Sequence, residues 1–291
     1  MRLTDLLDNI VPLSAAAAAT DISGLVVNSA QVKKGDLFFA LAGTTHDGRD
    51  FIDDAIKRGA VAIVTDDRPF NFKQAMSIPV VQTDNPRRVM SRAAARFWPQ
   101  QANLIGAVTG TNGKTSTVDF MRQIWARVNW SSISIGTIGM RGDSMHKPDT
   151  PMADIAQLTT PDSLSLHASI ADAAKRGVTH LALEASSHGL QQYRLDGLNI
   201  HVAGFTNLSR DHLDHHLNMD GYFAAKLRLF EDLLIVGGGA VINIDDAYGK
   251  KIVKRIKGLP IVLKTYGTSK AADFCIKDIA TTDFGLDLKV V

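Results

Sequence analysis

Short apolar runs alternate with amphipathic stretches of helical length along most of the chain. Leu37-Phe38-Phe39-Ala40-Leu41 reads as a buried strand, since an unbroken apolar run suits a strand covered on both faces. Over residues 51–58, Phe51, Ile52, Ala55 and Ile56 share one helical face, and Gly59 supplies the stop. Val61-Ala62-Ile63-Val64 and Ile78-Pro79-Val80-Val81-Gln82 are the next two strand candidates. Asn85-Pro86 then opens a basic helix over residues 87–98, which Pro99 ends. This organisation predicts a first domain over residues 1–84 and a second over 85–291.

Beyond that boundary the alternation continues at longer spacing. Residues 104–108 read as a strand. Residues 115–128 read as a helix with Val118, Met121, Ile124, Trp125 and Val128 turned inward. A helix is expected over 163–176, strands over 179–183 and 202–206, a helix over 222–234 and a strand over 240–244. Strands alternating with helices predict an α/β protein: a small N-terminal α/β domain, then a domain with a mostly parallel sheet covered on both faces. No internal repeat and no charge-rich linker interrupts the pattern.

Bulk properties narrow the function classes. The 291 residues allow two domains of ordinary size, and 45% hydrophobic with 21% charged residues is typical of a globular protein. A net charge of +2 argues against a nucleic-acid binder or a polybasic membrane arm, so a phosphate-bearing ligand needs a local site. Cys275 is the only cysteine, which excludes an intramolecular disulfide and fits a reducing compartment. Met1-Arg2-Leu3-Thr4-Asp5 lacks a signal-peptide pattern, and the alanine run at 15–19 is too short to span a bilayer. A cytoplasmic protein without membrane insertion is expected.

Gly110-Thr111-Asn112-Gly113-Lys114-Thr115-Ser116 follows the strand over 104–108 and precedes a helix. Glycines in that context let backbone N–H groups converge on phosphate oxygens, and the helix N-terminus adds partial positive charge. Lys114 would reach the β/γ-phosphates and the Thr115 hydroxyl would ligate Mg²⁺. The general phosphate-loop spacing is not met strictly, because Val108 stands where its first glycine belongs. Glu184 follows the strand over 179–183, on the edge where open α/β sheets bind ligands, where it would suit Mg²⁺ or else stand as a surface glutamate in a polar turn. In Asp211-His212-Leu213-Asp214-His215-His216, the spacing of His212 and His216 alone would also suit zinc, or the stretch is a solvated polar turn. By spacing, Lys226 is an ordinary helix lysine with its charge in water.

Three motifs occur in order: Gly110-Thr111-Asn112-Gly113-Lys114-Thr115, Glu184-Ala185-Ser186-Ser187-His188-Gly189-Leu190, and the run from Phe205-Thr206-Asn207-Leu208-Ser209-Arg210 into the histidine-rich stretch. Together they resemble the central domain of Mur ligases. The region from Asn28-Ser29 through Gly35-Asp36-Leu37-Phe38 to His46-Asp47-Gly48-Arg49 is similar to an N-terminal UDP-binding domain of that family. The resemblance implies that ATP phosphorylates the terminal carboxylate of UDP-N-acetylmuramoyl-L-alanyl-D-glutamate, and that a diamino acid then displaces the phosphate. It implies that Thr115 and Glu184 serve one Mg²⁺, and that Glu184, His212 and a carbamylated Lys226 serve a second. Lys114, Lys226 and His212 would form the catalytic set, and residues 110–116, Gly110 to Ser116, would hold ATP. Val27, Ser29, Thr44, Thr45 and His46 match uridine-diphosphate contacts. Thr159, Thr160, Ser186, Gln192 and Arg194 match positions that hold the diphosphate and the muramyl peptide.

Mur ligases carry a third domain that closes over ATP and reads the incoming amino acid, and the sequence to Val291 does not contain its motifs. Asp84-Asn85-Pro86-Arg87 spells the letters of a motif from that third domain, but its position marks it as a helix start. Meso-diaminopimelate is favoured over L-lysine by analogy alone, and a monomer is expected. Two other functions stay open at this level: a module that binds ATP or UDP-muramyl peptide without catalysis, and a metal-dependent hydrolase built on the histidines. The hydrolase reading gives the Gly-Lys-Thr loop no role.

Overall fold

A computed structural model of the protein describes residues 1–43, 46–69, 77–142, 159–210, 218–283 and 285–291. It divides into two compact units. Unit 1 comprises Met1–Pro99, Asp162–Ala168 and Gln192–Gly197; unit 2 comprises Gln100–Pro161, Ser169–Gln191 and Leu198–Val291.

Unit 1 contains helices α1 (Leu3–Leu7), α2 (Ala15–Ala18), α3 (Ile52–Arg58) and α4 (Pro86–Phe97). Its strands β1 (Gly24–Val26), β2 (Asp36–Ala40), β3 (Ala62–Asp66) and β4 (Val80–Thr83) form a parallel sheet in the order β1-β2-β3-β4. Every residue of β2 is buried, as its unbroken apolar run predicts. Leu37 and Phe39 enter a core with Leu3, Leu6 and Leu7 of α1 and Val89, Met90 and Ala93 of α4. Phe38 and Ala40 enter a second core with Val26, Ile52 and Ala55 on the other face of the sheet. Each fully buried leucine or phenylalanine contributes roughly 1.5–3 kcal/mol. Gly59 ends α3 at φ +111°, where a Cβ would lie 2.7 Å from Lys34 Cα, so no other residue fits without displacing backbone.

Asn85 caps α4 by accepting from Arg88 N at 3.0 Å, and Pro86 occupies the first turn. The expected domain boundary near Asp84 would place α4 in the second domain; α4 instead belongs to unit 1. Its inward face, Val89, Met90, Ala93 and Ala94, completes the core that α1 begins.

A buried polar cluster also ties α4 to the later segments of unit 1. His167 is 1% exposed, and its Nε2 lies 3.2 Å from Asp196 O and 3.5 Å from Ser91 Oγ. Burial pushes its pKa down from 6.5 to about 4, against the opposing pull of the Asp196 carbonyl. The unfolded chain therefore binds a proton between pH 6.5 and 4 that the folded chain refuses. Stability is full above pH 6.5, falls as the pH drops toward 4, and levels off below. The expected loss is on the order of 3 kcal/mol. Urea denaturation at several pH values should show that slope in the wild type and a shallower one in His167→Gln. Equal slopes would remove His167 as its source.

Unit 2 is built on a nine-stranded sheet. Its strands are β5 (Leu104–Thr109), β6 (Ser132–Gly136), β7 (Gly139–Gly142), β8 (His180–Glu184), β9 (Ile200–Phe205), β10 (Leu234–Asn243), β11 (Val262–Gly267), β12 (Phe274–Thr282) and β13 (Gly285–Val290). Their order is β13-β12-β11-β10-β9-β5-β8-β6-β7, parallel except for β7 and β13 at the two edges. The helices are α5 (Lys114–Arg127), α6 (Ser163–Lys175), α7 (Ser187–Gln191), α8 (Met219–Arg228) and α9 (Ala247–Ile256); the first turns of α6 belong to unit 1. The α/β architecture expected from the pattern is the one observed. Strands β6, β7 and β11 to β13 and helices α7 and α9 were not foreseen. The helix expected over 222–234 is α8 followed by one wider π-helical turn, Leu229–Leu233, and β10 begins directly after it.

α5 corrects one expectation. Val118 is buried against Val108 and Ala182, with Met121 and Trp125 packed beside it. Ile124 is 61% and Val128 52% exposed, not inward. At about 100° per residue, Met121 and Trp125 fall within about 60° of Val118, whereas Ile124 is about 120° away. The apolar count over 115–128 was right, but it marked a wider stripe than the sheet covers.

Candidate functional site

The glycine loop leaves β5 at its C-terminal end and enters α5. Gly110 has φ +148°, and a Cβ there would lie 1.9 Å from Thr206 Oγ1; Gly113 has φ +85° and occupies the position before the helix. Both conformations are strained for any residue with a side chain. The loop is anchored to the segment after β9. Thr111 N donates to Asn207 O at 2.8 Å, Asn112 N to Asn207 Oδ1 at 3.0 Å, and Thr206 Oγ1 to Asn112 O at 2.6 Å. No side chain caps α5, which leaves the amides of its first turn available to an anion. Thr115 is half-buried and Ser116 exposed beside them.

Two lysines converge on one carbonyl of this loop. Lys114 Nζ donates to Gly110 O at 3.0 Å and to Thr111 O at 2.9 Å. Lys226 Nζ donates to the same Gly110 O at 2.8 Å and stands 4.5 Å from the centre of the Tyr222 ring. Lys226 is 1% exposed, so the spacing-based expectation of a solvated helix lysine is overturned. The cause is tertiary: α8 turns Tyr222, Ala225, Lys226 and Leu227 inward, and the Tyr222 hydroxyl lies 3.2 Å from Thr111 Oγ1.

Glu184 is the last residue of β8 and is 0% exposed. Its Oε1 accepts from Thr137 N at 2.9 Å and its Oε2 from Thr137 Oγ1 at 3.2 Å. A Cβ on Gly136 would lie 2.0 Å from Oε1, so glycine makes room for the carboxylate. Thr137 Oγ1 also meets Thr159 Oγ1 at 3.0 Å. Thr160 Oγ1 donates to Glu184 O at 2.8 Å and lies 3.0 Å from Ser186 Oγ. Unit 2 thus brings Thr159, Thr160, Glu184 and Ser186 into one hydrogen-bonded group. Gly136 and Thr137 were missed; the signal was the apolar run Ile133-Ser134-Ile135 ending in Gly-Thr-Ile-Gly.

The donor set fits Mg²⁺ better than a soft metal, because a buried carboxylate and hydroxyls are hard oxygen ligands. Among the described residues, no three His, Cys, Asp or Glu side chains come together. His212 and the rest of 211–217 lie outside the described residues, as do Thr44 and Thr45.

Unit 1 holds the other residues that the resemblance assigned. Val27 is 40% exposed and Ser29 is buried. The Ser29 hydroxyl bonds the Asp54 carboxylate and, with Arg58, holds it below its usual range. His46 is exposed, its ring edge-on to Phe51 at 6.2 Å. The next residue, Asp47, is held down to about 2 by the Arg49 guanidinium. Arg194 is half-buried and donates from Nε at 3.2 Å and Nη2 at 2.8 Å to Gln192 Oε1.

Comparison with known proteins places this arrangement. The Mur ligase middle domain matches residues 108–291, and the Mur ligase family catalytic domain matches residues 21–98. The UDP-N-acetylmuramoyl-L-alanyl-D-glutamate–2,6-diaminopimelate ligase of Bradyrhizobium diazoefficiens is 46% identical over 288 residues, covering 99% of this chain and 56% of the relative. The ligase of the same name from Agrobacterium fabrum is 41% identical over 272 residues, covering 92% of this chain and 53% of its own. The chain spans about half the length of the curated relatives it matches. A solved structure of a ligase of that name superposes with a TM-score of 0.83 at 29% identity, over 100% of this chain and 57% of the other. MurF from Thermotoga maritima, solved in complex with ADP, has a TM-score of 0.53 at 18% identity over 93% of this chain and 56% of its own, a likeness of fold alone. With matches over 21–98 and 108–291, the chain belongs to the Mur ligase family.

Proposed function

We propose that this chain provides the UDP-substrate-binding and ATP-binding parts of an ATP-dependent ligase that adds a diamino acid, meso-diaminopimelate in preference to L-lysine, to UDP-N-acetylmuramoyl-L-alanyl-D-glutamate. The observation that carries this reading is the convergence of Lys114 and Lys226 on the Gly110 carbonyl, beside an uncapped helix N-terminus. Two ammonium groups on one carbonyl repel each other, and a polyphosphate laid across the loop relieves that repulsion.

In the reaction, the terminal D-glutamate carboxylate oxygen attacks the γ-phosphorus of ATP, and the bond to the β/γ-bridging oxygen breaks to release ADP. The neutral amine of the diamino acid then attacks the acyl carbon and gives up a proton, and phosphate leaves with the carbon–oxygen bond electrons. Lys114 releases its loop carbonyls and neutralises charge on the β/γ-phosphates, while the free amides of α5 hold the phosphate oxygens. Thr115, Glu184, His212 and Lys226 would hold Mg²⁺, which supplies charge neutralisation between the two anionic substrates. Thr137 keeps the Glu184 carboxylate oriented, and Thr160 links the Glu184 backbone carbonyl to the Ser186 hydroxyl. Ser29 and His46 in unit 1 would bind the uridine-diphosphate part, with Val27 supplying exposed apolar surface.

Isothermal calorimetry with the 291-residue chain and UDP-N-acetylmuramoyl-L-alanyl-D-glutamate tests the reading. Binding is expected in the micromolar range or tighter, weakened about tenfold by Ser29→Ala, the worth of about one hydrogen bond to a charged group. A chain that binds this compound no better than uridine would sink the proposal.

A further inference from the structure

We propose that Arg49 is a positioning residue of unit 1: with Asp66 and Arg68 it clamps Asp47, and through Asp47 it fixes the neighbouring His46 for an incoming uridine diphosphate. The identity of that ligand rests on the functional reading above, and the clamp rests on unit 1 alone. Gly48 N donates to Leu41 O and Gly43 N to His46 O, both at 2.9 Å, and Ala42 pairs with Asp47 in an antiparallel bridge. Residues 41–43 and 46–48 are thus two short antiparallel arms. A Cβ on Gly48 would lie 2.6 Å from both Leu41 N and Leu41 O, so only glycine lets the arms close. The arms follow β2 at its C-terminal end, and Asp66 is the last residue of β3, which pairs with β2. Open parallel sheets receive ligands at that edge.

The first arm is held by α4, where Arg87 Nη2 donates to Ala42 O at 2.6 Å. The second arm is held by Arg49. Its Nε and Nη2 fork onto the two Asp47 oxygens at 3.0 and 2.6 Å, while Nη1 reaches Asp66 Oδ1 at 3.2 Å. Arg68 closes the square from the solvent side: its Nη2 meets Asp66 Oδ2 at 2.6 Å and Asp47 Oδ2 at 3.3 Å. The Arg68 side chain is 52% exposed and that of Arg49 only 10%, so Arg49 is the inner member that joins the arm to β3. Its hydrogen bonds hold Asp47 at about 2, and the clamp therefore stays charged in neutral solution. A buried ion pair returns little net stability after desolvation, and apolar packing would brace the fold as well. What the fork adds is geometry, because two parallel bonds fix both the distance and the plane of the carboxylate. His46 gains from this. It is exposed, so its place is set by the backbone of its arm more than by packing.

The test uses the whole chain, with UDP and UDP-N-acetylmuramoyl-L-alanyl-D-glutamate as probes and ATP–Mg²⁺ as the control ligand. Calorimetry gives the affinities, and melting curves show that each variant folds. The His46 imidazole cross-peaks in an NMR spectrum report the placement of that residue with no ligand present. Arg49→Met keeps much of the side-chain length and removes its donors. It is expected to weaken both UDP probes about tenfold, to leave ATP–Mg²⁺ affinity unchanged and to shift the His46 cross-peaks. Arg49→Lys, which keeps the charge but not the fork, should recover part of the loss. If Arg49→Met does not fold, Asp66→Asn is read in its place; it spares the Asp47 fork and should give the same changes at smaller size. A folded variant with wild-type affinity for both UDP probes overturns the proposal. Equal loss of ATP–Mg²⁺ affinity also overturns it, because Arg49 then supports the fold at large. A wild type that binds ATP–Mg²⁺ but neither UDP probe refutes the functional reading instead. The His46 cross-peaks then decide the clamp by themselves: shifted in Arg49→Met they uphold it, and unmoved they refute it.

Discussion

Lys114→Ala is expected to weaken ATP–Mg²⁺ binding by this chain at least a hundredfold, about 2.7 kcal/mol. The lysine sits one residue past Gly113, whose left-handed backbone turns the chain into α5. Its ammonium already lies on the loop, bonded to the Gly110 and Thr111 carbonyls, so little reorganisation separates it from a phosphate. A hydrogen bond between charged groups contributes about 1.5–3 kcal/mol, and a lysine bridging two phosphates makes more than one. The side chain is half-buried and its partners are loop carbonyls, so the variant should keep its fold. Calorimetry at fixed Mg²⁺, with melting curves alongside, separates the two effects. Unchanged nucleotide affinity in a folded variant would refute the assignment of the loop to phosphate.

In a complete ligase of the proposed kind, Lys226→Ala is expected to abolish ligation, by at least a thousandfold, while UDP-substrate binding stays nearly intact. The lysine is buried, and truncating a side chain of that size also leaves a cavity worth about 2–4 kcal/mol of stability. Lys226→Met fills most of that volume and is the variant whose rate loss reports chemistry rather than folding. The physical case for modification is charge crowding around Gly110 O, where Lys114 and Lys226 both donate. When the neutral amine of Lys226 attacks the carbon of CO₂ and loses a proton, the cation becomes a carbamate. That anion suits Mg²⁺ and no longer repels Lys114. Short carboxylic acids should restore part of the activity of Lys226→Ala by occupying the vacated place. Near-normal rates in either variant would end the proposal.

Much of the fold was legible because it rests on local pattern. The β2 run, the Gly59 stop and the Asn85-Pro86 start each depend on residues adjacent in sequence, and each was found at or within a residue of its expected place. β12 and β13 were harder. Their exposed Ile279, Leu286 and Leu288 give no one-sided burial pattern to read, although the two strands pair over six registers. Unit 1 was harder still, because it draws on 162–168 and 192–197 through contacts such as Ser91 with Asp196, 105 residues apart.

By itself the sequence determined the order of strands and helices, the α/β class, and a loop whose glycines admit a phosphate, because backbone preference and hydrophobic period act over a few residues. It also carried the three motifs that mark the family. Only the tertiary structure decided which side of α8 is buried, and hence that Lys226 lies against Gly110 and not in water. It likewise decided that Thr137 holds Glu184 across 47 residues and that Ser91 of α4 holds the Arg194 carbonyl. The reason is that burial and charge proximity depend on what packs against a residue, and neither hydrophobic period nor spacing along the chain specifies that partner.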